Sequence, residues 1–449
     1  MGLTQEDSAS KVNRRTTINI PMRSLTAIPS VGASATSVSD VNSPNYGALK
    51  IFMEKVAAYT QNEVTFSIVK WTPTAPNNVV QQVGIVGDSR DAAYDLGVAM
   101  NPVWGFLYLS MAPFHLSYQE TLDWLYNKGG LALAQSLLDK RNLNVKVIPV
   151  LGSNPQIGGW FKAPIGVAKC DAEKNCENTA PIGLEGLCTS GWTLRYLPPG
   201  QNVIDGACDA MVADGTIPAK NLHFIKSVPG VHSLVSVQSG EVTGFEQATP
   251  LDDLSQFFPD PGPAPILQSR QNPGHKGIRY LHWPSWQQPF LLGYIFLNKT
   301  TVWDTLSPTQ QMAIERAGRD AVEDSFNTSA SVQCDRLRTL LAINDTQVQL
   351  DPKGNPILDA NGQPLPADLH IARFGNAAIQ KLRVSNDLFL ESLRGGSTPT
   401  QDQLEYRQVF DSILAYEHEI RFKWMPTEFP KECGNLTEGL PDDDPTSSK

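Results

Sequence analysis

Three polar side chains sit in stretches otherwise built from Gly, Pro, Trp and aliphatic residues, and each could hold charge away from water. Gln156 follows Asn154-Pro155 and precedes Ile157-Gly158-Gly159-Trp160-Phe161, so an amide stands beside glycines that let a backbone approach a ligand. Arg195 lies alone in Gly191-Trp192-Thr193-Leu194-Arg195-Tyr196-Leu197-Pro198-Pro199-Gly200, and Glu246 in Gly244-Phe245-Glu246-Gln247-Ala248-Thr249-Pro250. A buried guanidinium without a partner is costly, so Arg195 must meet either an internal acid or a bound anion, which its planar fork grips with two hydrogen bonds. On the residues alone, an internal salt bridge between Arg195 and Glu246 is the simpler of the two. Trp283 and Trp286, in His282-Trp283-Pro284-Ser285-Trp286-Gln287-Gln288-Pro289, read by default as core side chains.

Signatures of enzyme chemistry are missing. There is no His-Glu-x-x-His, no Gly-x-Ser-x-Gly, no phosphate loop and no Gly-x-Gly-x-x-Gly. Gly87-Asp88-Ser89 resembles the nucleophile block of one esterase class, but none of the histidines has an Asp three residues before it, as that class requires. A turn or helix start explains the tripeptide better, since Asp and Ser are ordinary caps. A metal-dependent hydrolase with Glu246 as base would need a His-rich set of ligands that the sequence does not offer.

The elements that must position these residues alternate between strand and helix. Ile18 to Ile28 suggests a first strand, and Ser43-Pro44 then opens a helix with Tyr46, Leu49, Phe52, Met53 and Val56 on one face. Glu63 to Lys70 alternates as a strand, Ser117 to Lys140 reads as a helix broken by Gly129-Gly130, and Val145 to Val150 as a buried strand. Leu222 to Ile225 is a shorter strand. Ser307 with Gln310 forms a capping box for a long helix from Pro308 to Leu341. Turn clusters around Ile357 and Leu358 predict a small hairpin, and helices are expected over Ile371 to Leu393 and from Gln401 to about Trp424. Such alternation indicates an α/β architecture.

Length and composition set the outer bounds. The 449 residues, 41% hydrophobic, suggest two or three compact units. Only 18% are charged and the net charge is −10, which disfavours both a disordered polyelectrolyte and a nucleic-acid binder. No apolar run approaches the roughly 20 residues of a membrane helix. The polar start, Met1 to Asp7, lacks the features of an export signal, so the chain is either cytosolic or has lost one. Six cysteines (170, 176, 188, 208, 334 and 433) are compatible with disulfides in an oxidising compartment and form no Cys-x-x-Cys pair.

Taken in order, Asn154 to Phe161, Leu194-Arg195, Gly240 to Asp253, Trp286 to Pro289 and Trp303 to Ala317 resemble the successive signatures of the solute-binding proteins of tripartite ATP-independent periplasmic (TRAP) transporters. Ala112-Pro113-Phe114 and the helix around Asp123 to Gly130 are similar to that family too, so the likeness runs from about Thr17 to Glu419. It implies a two-lobed, periplasmic-binding-protein-like α/β fold with a long helix crossing both lobes and further helices at the C-terminus. Residues 17–150 would form mainly lobe 1 and 151–290 mainly lobe 2. Residues 291–425 would complete both, between tails at 1–16 and 426–449.

The resemblance also assigns roles. Arg195 would grip the carboxylate of a small organic acid, with Gln156, Trp104, Trp160, Trp283 and Trp286 around it. In the branch that binds 2-oxoacids and lactate, a cation, Na⁺ or Ca²⁺, bridges protein and carboxylate; its ligands would be Gln156, Glu246 and the backbone of Gln247. Gln288 stands where that branch has an acidic ligand, and Ala248-Thr249-Pro250 departs from the usual pattern of one pocket wall. The stretches 169–181, 259–277 and 351–365 are longer than usual. The implied protein is an extracytoplasmic, non-enzymatic receptor that delivers its ligand to TRAP membrane subunits. The rival is a sensory or scavenging binder with no permease. The C-terminal helices offer a surface for a homodimer.

Overall fold

The structure, a computed structural model, describes residues 17–24, 44–68, 92–95, 114–153, 156–168, 182–196, 198–225, 242–246, 278–287, 289–346, 348, 355–365, 369–421 and 433. Trp104, Asn154, Gln247, Gln288, the Gly87-Asp88-Ser89 tripeptide and the expected 1–16 tail lie outside them. Strands run, in chain order, β1 (Ile18–Ser24), β2 (Val64–Ile68), β3 (Ala92–Asp95), β4 (Val145–Ser153), β5 (Gly159–Phe161), β6 (Val167–Ala168), β7 (Trp192–Arg195), β8 (Leu222–Phe224), β9 (Gly244–Phe245), β10 (Tyr280–His282), β11 (Leu291–Asn298) and β12 (His370–Arg373). The helices are α1 (Pro44–Tyr59), α2 (Tyr118–Asn127), α3 (Gly130–Lys140), α4 (Gly183–Thr189), α5 (Pro198–Ala213), α6 (Pro308–Thr346), α7 (Asn376–Leu393) and α8 (Gln401–Ile420).

The strands form two mixed sheets. One has the order β2-β1-β3-β11-β4 and the other β6-β12-β10-β5-β9-β7-β8. Chain passes between them after β4 and returns before β11, so each sheet is completed by residues far apart in sequence. β4 and β11 are buried along almost their whole length; β11 lies inside its sheet, whereas β4 is the last strand of the sheet and is covered by the long helix α6 packed against it. Helix α6, with 39 residues and about 59 Å of axial length at 1.5 Å per residue, serves both sheets. Ile314, Ala317 and Ala321 pack with β1, β4 and β11 of the first sheet, while Cys334, Leu337 and Leu340 pack with Ile157, Trp160 and Leu281 of the second. The two-lobed α/β organisation with a crossing helix is thus present.

Close approach of α6 to β4 depends on small residues. A Cβ on Gly318 would lie 2.7 Å from the Pro149 carbonyl oxygen, and one on Gly152 would lie 2.6 Å from the Val322 carbonyl oxygen. The expected break at Gly129-Gly130 separates α2 from α3; Gly129 takes a φ of 87°, and Gly130 abuts the Trp124 ring. α2 and α8 start with full capping boxes, at Ser117 with Glu120 and at Thr400 with Gln403.

Three expectations need correction. Residues 370–373 are not the first turn of a helix but strand β12, paired in parallel with β10, and α7 begins only at Asn376. Apolar spacing across Phe374, Ala378 and Leu382 did indicate a helix, but sheet pairing claims the residues before it. The expected hairpin at Ile357 and Leu358 is reduced to a single bridge, Leu358 to Pro364, around the Asp359 turn. The last helix stops at Ile420, where Arg421 enters the left-handed region at φ 54°.

Candidate functional site

Gln156, Arg195 and Glu246 are brought to one end of the second sheet by its register. β7 and β9 run in parallel with Arg195 opposite Phe245, so Arg195 and Glu246 lie at the C-terminal ends of neighbouring strands. β5 runs antiparallel to β9 with Trp160 opposite Phe245, which carries the residues preceding β5, Gln156 among them, to the same end. β10 runs antiparallel to β5, His282 opposite Gly159, and therefore delivers Trp286 there as well. Ligands of open α/β sheets bind beyond the carboxyl ends of strands, where side chains from several strands converge.

Backbone hydrogen bonds fix this convergence. Glu246 N–H donates to the Arg195 carbonyl at 2.9 Å, Ser285 N–H to the Gln156 carbonyl at 2.9 Å and Gly158 N–H to the His282 carbonyl at 2.6 Å. Arg195 Nη1 donates in turn to the Glu246 carbonyl, which orients the guanidinium plane. Arg195 is 3%, Gln156 6% and Glu246 0% exposed, so the charges are held in low dielectric, where their interactions are strong. Tyr196 donates its hydroxyl to the Gly158 carbonyl; burial, and secondarily the Glu246 charge, push its phenol well above the ordinary range.

Gly158 and Gly159 have a different purpose from the one read in the sequence. A Cβ on Gly158 would lie 2.9 Å from the Phe374 ring, and one on Gly159, whose φ is 127°, would lie 2.6 Å from Tyr196 Oη. Here the glycines admit protein side chains. His282 lies beneath them, its Nε2 accepting from the Ile165 N–H at 3.0 Å, and complete burial pushes its pKa down to about 3.

Among the tryptophans, Trp160 and Trp283 are fully buried in the core against α6. Trp286 lies on the opposite side, with Phe374 and Phe114. Phe114 takes φ 67°, uncommon for a bulky residue, and stacks on Trp286 with ring centroids 5.9 Å apart. Trp286 Nε1 and both ends of the Gln287 amide are buried without hydrogen-bond partners among the described residues. Gln287 went unremarked in the sequence, where the acidic-ligand position of Gln288 was the more informative signal.

A hard cation fits the donors. Gln156 Oε1 is a buried carbonyl oxygen that accepts no hydrogen bond among the described residues, and Glu246 brings a fully buried carboxylate to the same end of the sheet. Among the described residues no three His, Cys, Asp or Glu side chains gather as a metal-binding group, so any ion held here would rely on amide and backbone oxygens beside Glu246. Among the same residues no helix is long and apolar enough to cross a membrane.

No family profile matches the chain. Over 159 residues, a third of its length, it is 30% identical to a monocarboxylate 2-oxoacid-binding periplasmic protein of Nostoc sp., and the match spans 42% of that relative. Solved structures extend the likeness to 90% of the chain. A TRAP periplasmic solute-binding protein from Colwellia psychrerythraea, with bound calcium and pyruvate, aligns at a TM-score of 0.59 and 15% identity over 96% of its own length. One from Pseudoalteromonas atlantica, with sodium and pyruvate, aligns at 0.57 and 15% identity over 95%. A third, from Bordetella bronchiseptica with calcium and picolinate, aligns at 0.57 and 13% identity over 93%. The fold of this chain is that of the TRAP solute-binding proteins, as its collinear sequence signatures implied.

Proposed function

We propose that the chain is an extracytoplasmic solute-binding protein that captures a small organic acid anion, a 2-oxoacid, hydroxyacid or related carboxylate, and delivers it to TRAP membrane subunits. The observation that carries this reading is the meeting of buried Arg195, Glu246 and Gln156 at the strand ends of one sheet. Arg195, oriented by its bond to the Glu246 carbonyl, offers the fork that a carboxylate accepts. Gln156 Oε1 and the Glu246 carboxylate would hold Na⁺ or Ca²⁺, with Gln247 and Gln288 as further oxygen donors. The cation's charge offsets Glu246 and leaves the site attractive to an anion despite the net charge of −10. The protein performs no covalent chemistry. Its lobes close on the ligand by a hinge motion about the chain crossings and α6.

A homodimer through the C-terminal helices is supported by Val384 and Leu388, which lie one turn apart on α7 and are 61% and 66% exposed. Calorimetric titration with pyruvate, lactate and longer 2-oxoacids tests the main reading. Binding is expected in the wild type and lost in Arg195→Ala; equal affinity in that variant overturns the anion clamp. Chelation or Na⁺ removal is expected to weaken the wild type and to leave Glu246→Ala little changed.

A further inference from the structure

The Gln287 side chain is 3% exposed, yet neither its Oε1 nor its Nε2 has a hydrogen-bond partner among the described residues. Leaving a buried donor or acceptor unsatisfied is costly, and natural proteins tolerate few such groups. An apolar side chain at this position would be cheaper for the fold. A carboxamide held at that cost in a ligand-binding fold points to a partner that arrives with the ligand.

The surroundings of Gln287 support this. Two residues upstream, the Ser285 N–H is bonded to the backbone carbonyl of Gln156, so the segment is tied to one of the site residues. On its other side is the first turn of α5, which follows Arg195-Tyr196 directly. A Cβ on Gly200 there would come within 3.6 Å of Gln287 Cδ and 3.0 Å of the Tyr196 ring. The amide therefore lies against the first turn of α5, on a segment tied to Gln156. Next to it Trp286 Nε1, also buried, is a further donor with no partner.

Resting on the carboxylate reading above, we propose that Gln287 is a specificity-determining residue that pairs through both ends of its amide with a ligand group that itself donates and accepts hydrogen bonds, a hydroxyl or a secondary amide beside the carboxylate. A keto oxygen can only accept. It would satisfy Nε2 and leave Oε1 buried and unpaired, whereas an O–H or N–H satisfies Oε1, and the oxygen of the same group receives Nε2 or Trp286 Nε1. A site built to hydrogen-bond such a group rejects the analogue lacking it.

Calorimetry with matched pairs tests this: lactate against pyruvate for the hydroxyl, pyroglutamate against cyclopentanecarboxylate for the amide. In the wild type the first member of at least one pair is expected to bind about tenfold tighter or more, one hydrogen bond's worth. The pair that shows it identifies the group. In Gln287→Met that preference is expected to fall to about threefold or less. Ligand-free Gln287→Met is expected to melt no lower than wild type, because two unpaired buried polar atoms have gone; a purely structural Gln287 would lower the melting temperature. Gln287→Glu, similar in shape, loses the Nε2 donor but keeps an oxygen that accepts from O–H or N–H, so it gives a second reading if the Met variant does not fold: the preference is expected to persist or grow. Wild-type preference that survives Gln287→Met, or that is lost in Gln287→Glu, overturns the proposal, as does tighter binding of both second members. If the wild type binds all four alike, Gln287 loses its role and the carboxylate reading stands; if it binds none, both fall.

Discussion

Arg195 and Glu246 hold one another through the backbone in both directions: the Glu246 N–H donates to the Arg195 carbonyl at 2.9 Å, and Arg195 Nη1 donates to the Glu246 carbonyl. The proposed anion clamp and the proposed cation ligand are thereby set on adjacent strand ends, and neither can shift without the other. The carbonyl of Glu246 orients the guanidinium.

This relationship predicts the outcome of Arg195→Lys. A lysine keeps the positive charge but cannot bond the Glu246 carbonyl while presenting a planar fork to a carboxylate. Losing one charge-assisted hydrogen bond costs about 1.5–3 kcal/mol, so affinity for the best-bound carboxylate should drop on the order of ten- to a hundredfold. Titration calorimetry on a variant shown by circular dichroism to be folded measures this. Unchanged affinity would mean that the fork geometry is not used.

Gly159→Ala should be among the most damaging small substitutions in the second lobe. The φ of 127° is strained for any residue with a Cβ, and that Cβ would lie 2.6 Å from Tyr196 Oη and 2.9 Å from Phe161 Cε2. Backbone strain of about 1–3 kcal/mol and overpacking of about 1–3 kcal/mol should both be visible as a lower urea midpoint. Tyr196→Phe removes the nearer atom, so the double variant should recover part of the loss relative to the sum of the single changes. Strict additivity would contradict the contact.

The sequence made the site's chemistry legible where residue type conflicts with setting. Arg195 and Glu246 could be found because a charge in an apolar strand must be accounted for, and both proved buried at neighbouring strand ends. Long helices were legible because apolar spacing and caps repeat over many turns, as in α6, which was expected to Leu341 and runs to Thr346. What escaped was whatever depends on pairing between distant segments. β12 was taken for helix because its partner, Tyr280–His282, is some 90 residues away, and nothing local distinguishes the two. Gly158 and Gly159 showed that close approach was needed but not what approaches. Gln287 carries no local signal at all, since a glutamine between Trp286 and Gln288 is ordinary until both ends of its amide are found buried and unpaired.

His282 should make the protein acid-sensitive. Its folded-state pKa is depressed to about 3 by burial, from 6.5, so between those values the unfolded chain binds a proton that the native one does not. Stability is then fully present above pH 6.5 and declines as pH falls toward 3, with a limiting slope of about 1.4 kcal/mol per pH unit from this residue. Urea midpoints measured at pH 7.5 and pH 5 check the sign. His282→Gln, whose side-chain oxygen can still accept from the Ile165 N–H, should be less stable at pH 7.5 but should lose less on acidification. An equal pH dependence in wild type and variant would remove His282 from the account.

The two disulfides among the described residues should differ in importance. Cys188–Cys208 closes a separation of 20 residues and ties α4 to α5, whereas Cys334–Cys433 closes 99 and fastens a C-terminal residue to the middle of α6. Constraint of the unfolded chain grows with loop length, giving about 3 kcal/mol for the shorter loop and about 4.7 kcal/mol for the longer. Cys334 and Cys433 also belong to the core containing Trp160 and Trp283, so releasing that bridge loosens packing around the wall that supports Gln156. Replacing both members of each pair by serine, and measuring unfolding under non-oxidising conditions, should show the larger loss for the 334–433 pair. Carboxylate binding should weaken with that pair and be nearly preserved with the other, because Cys188 and Cys208 belong to a different core from the one containing Trp160. The reverse order of stability would mean that native-state enthalpy, not chain entropy, governs these bridges.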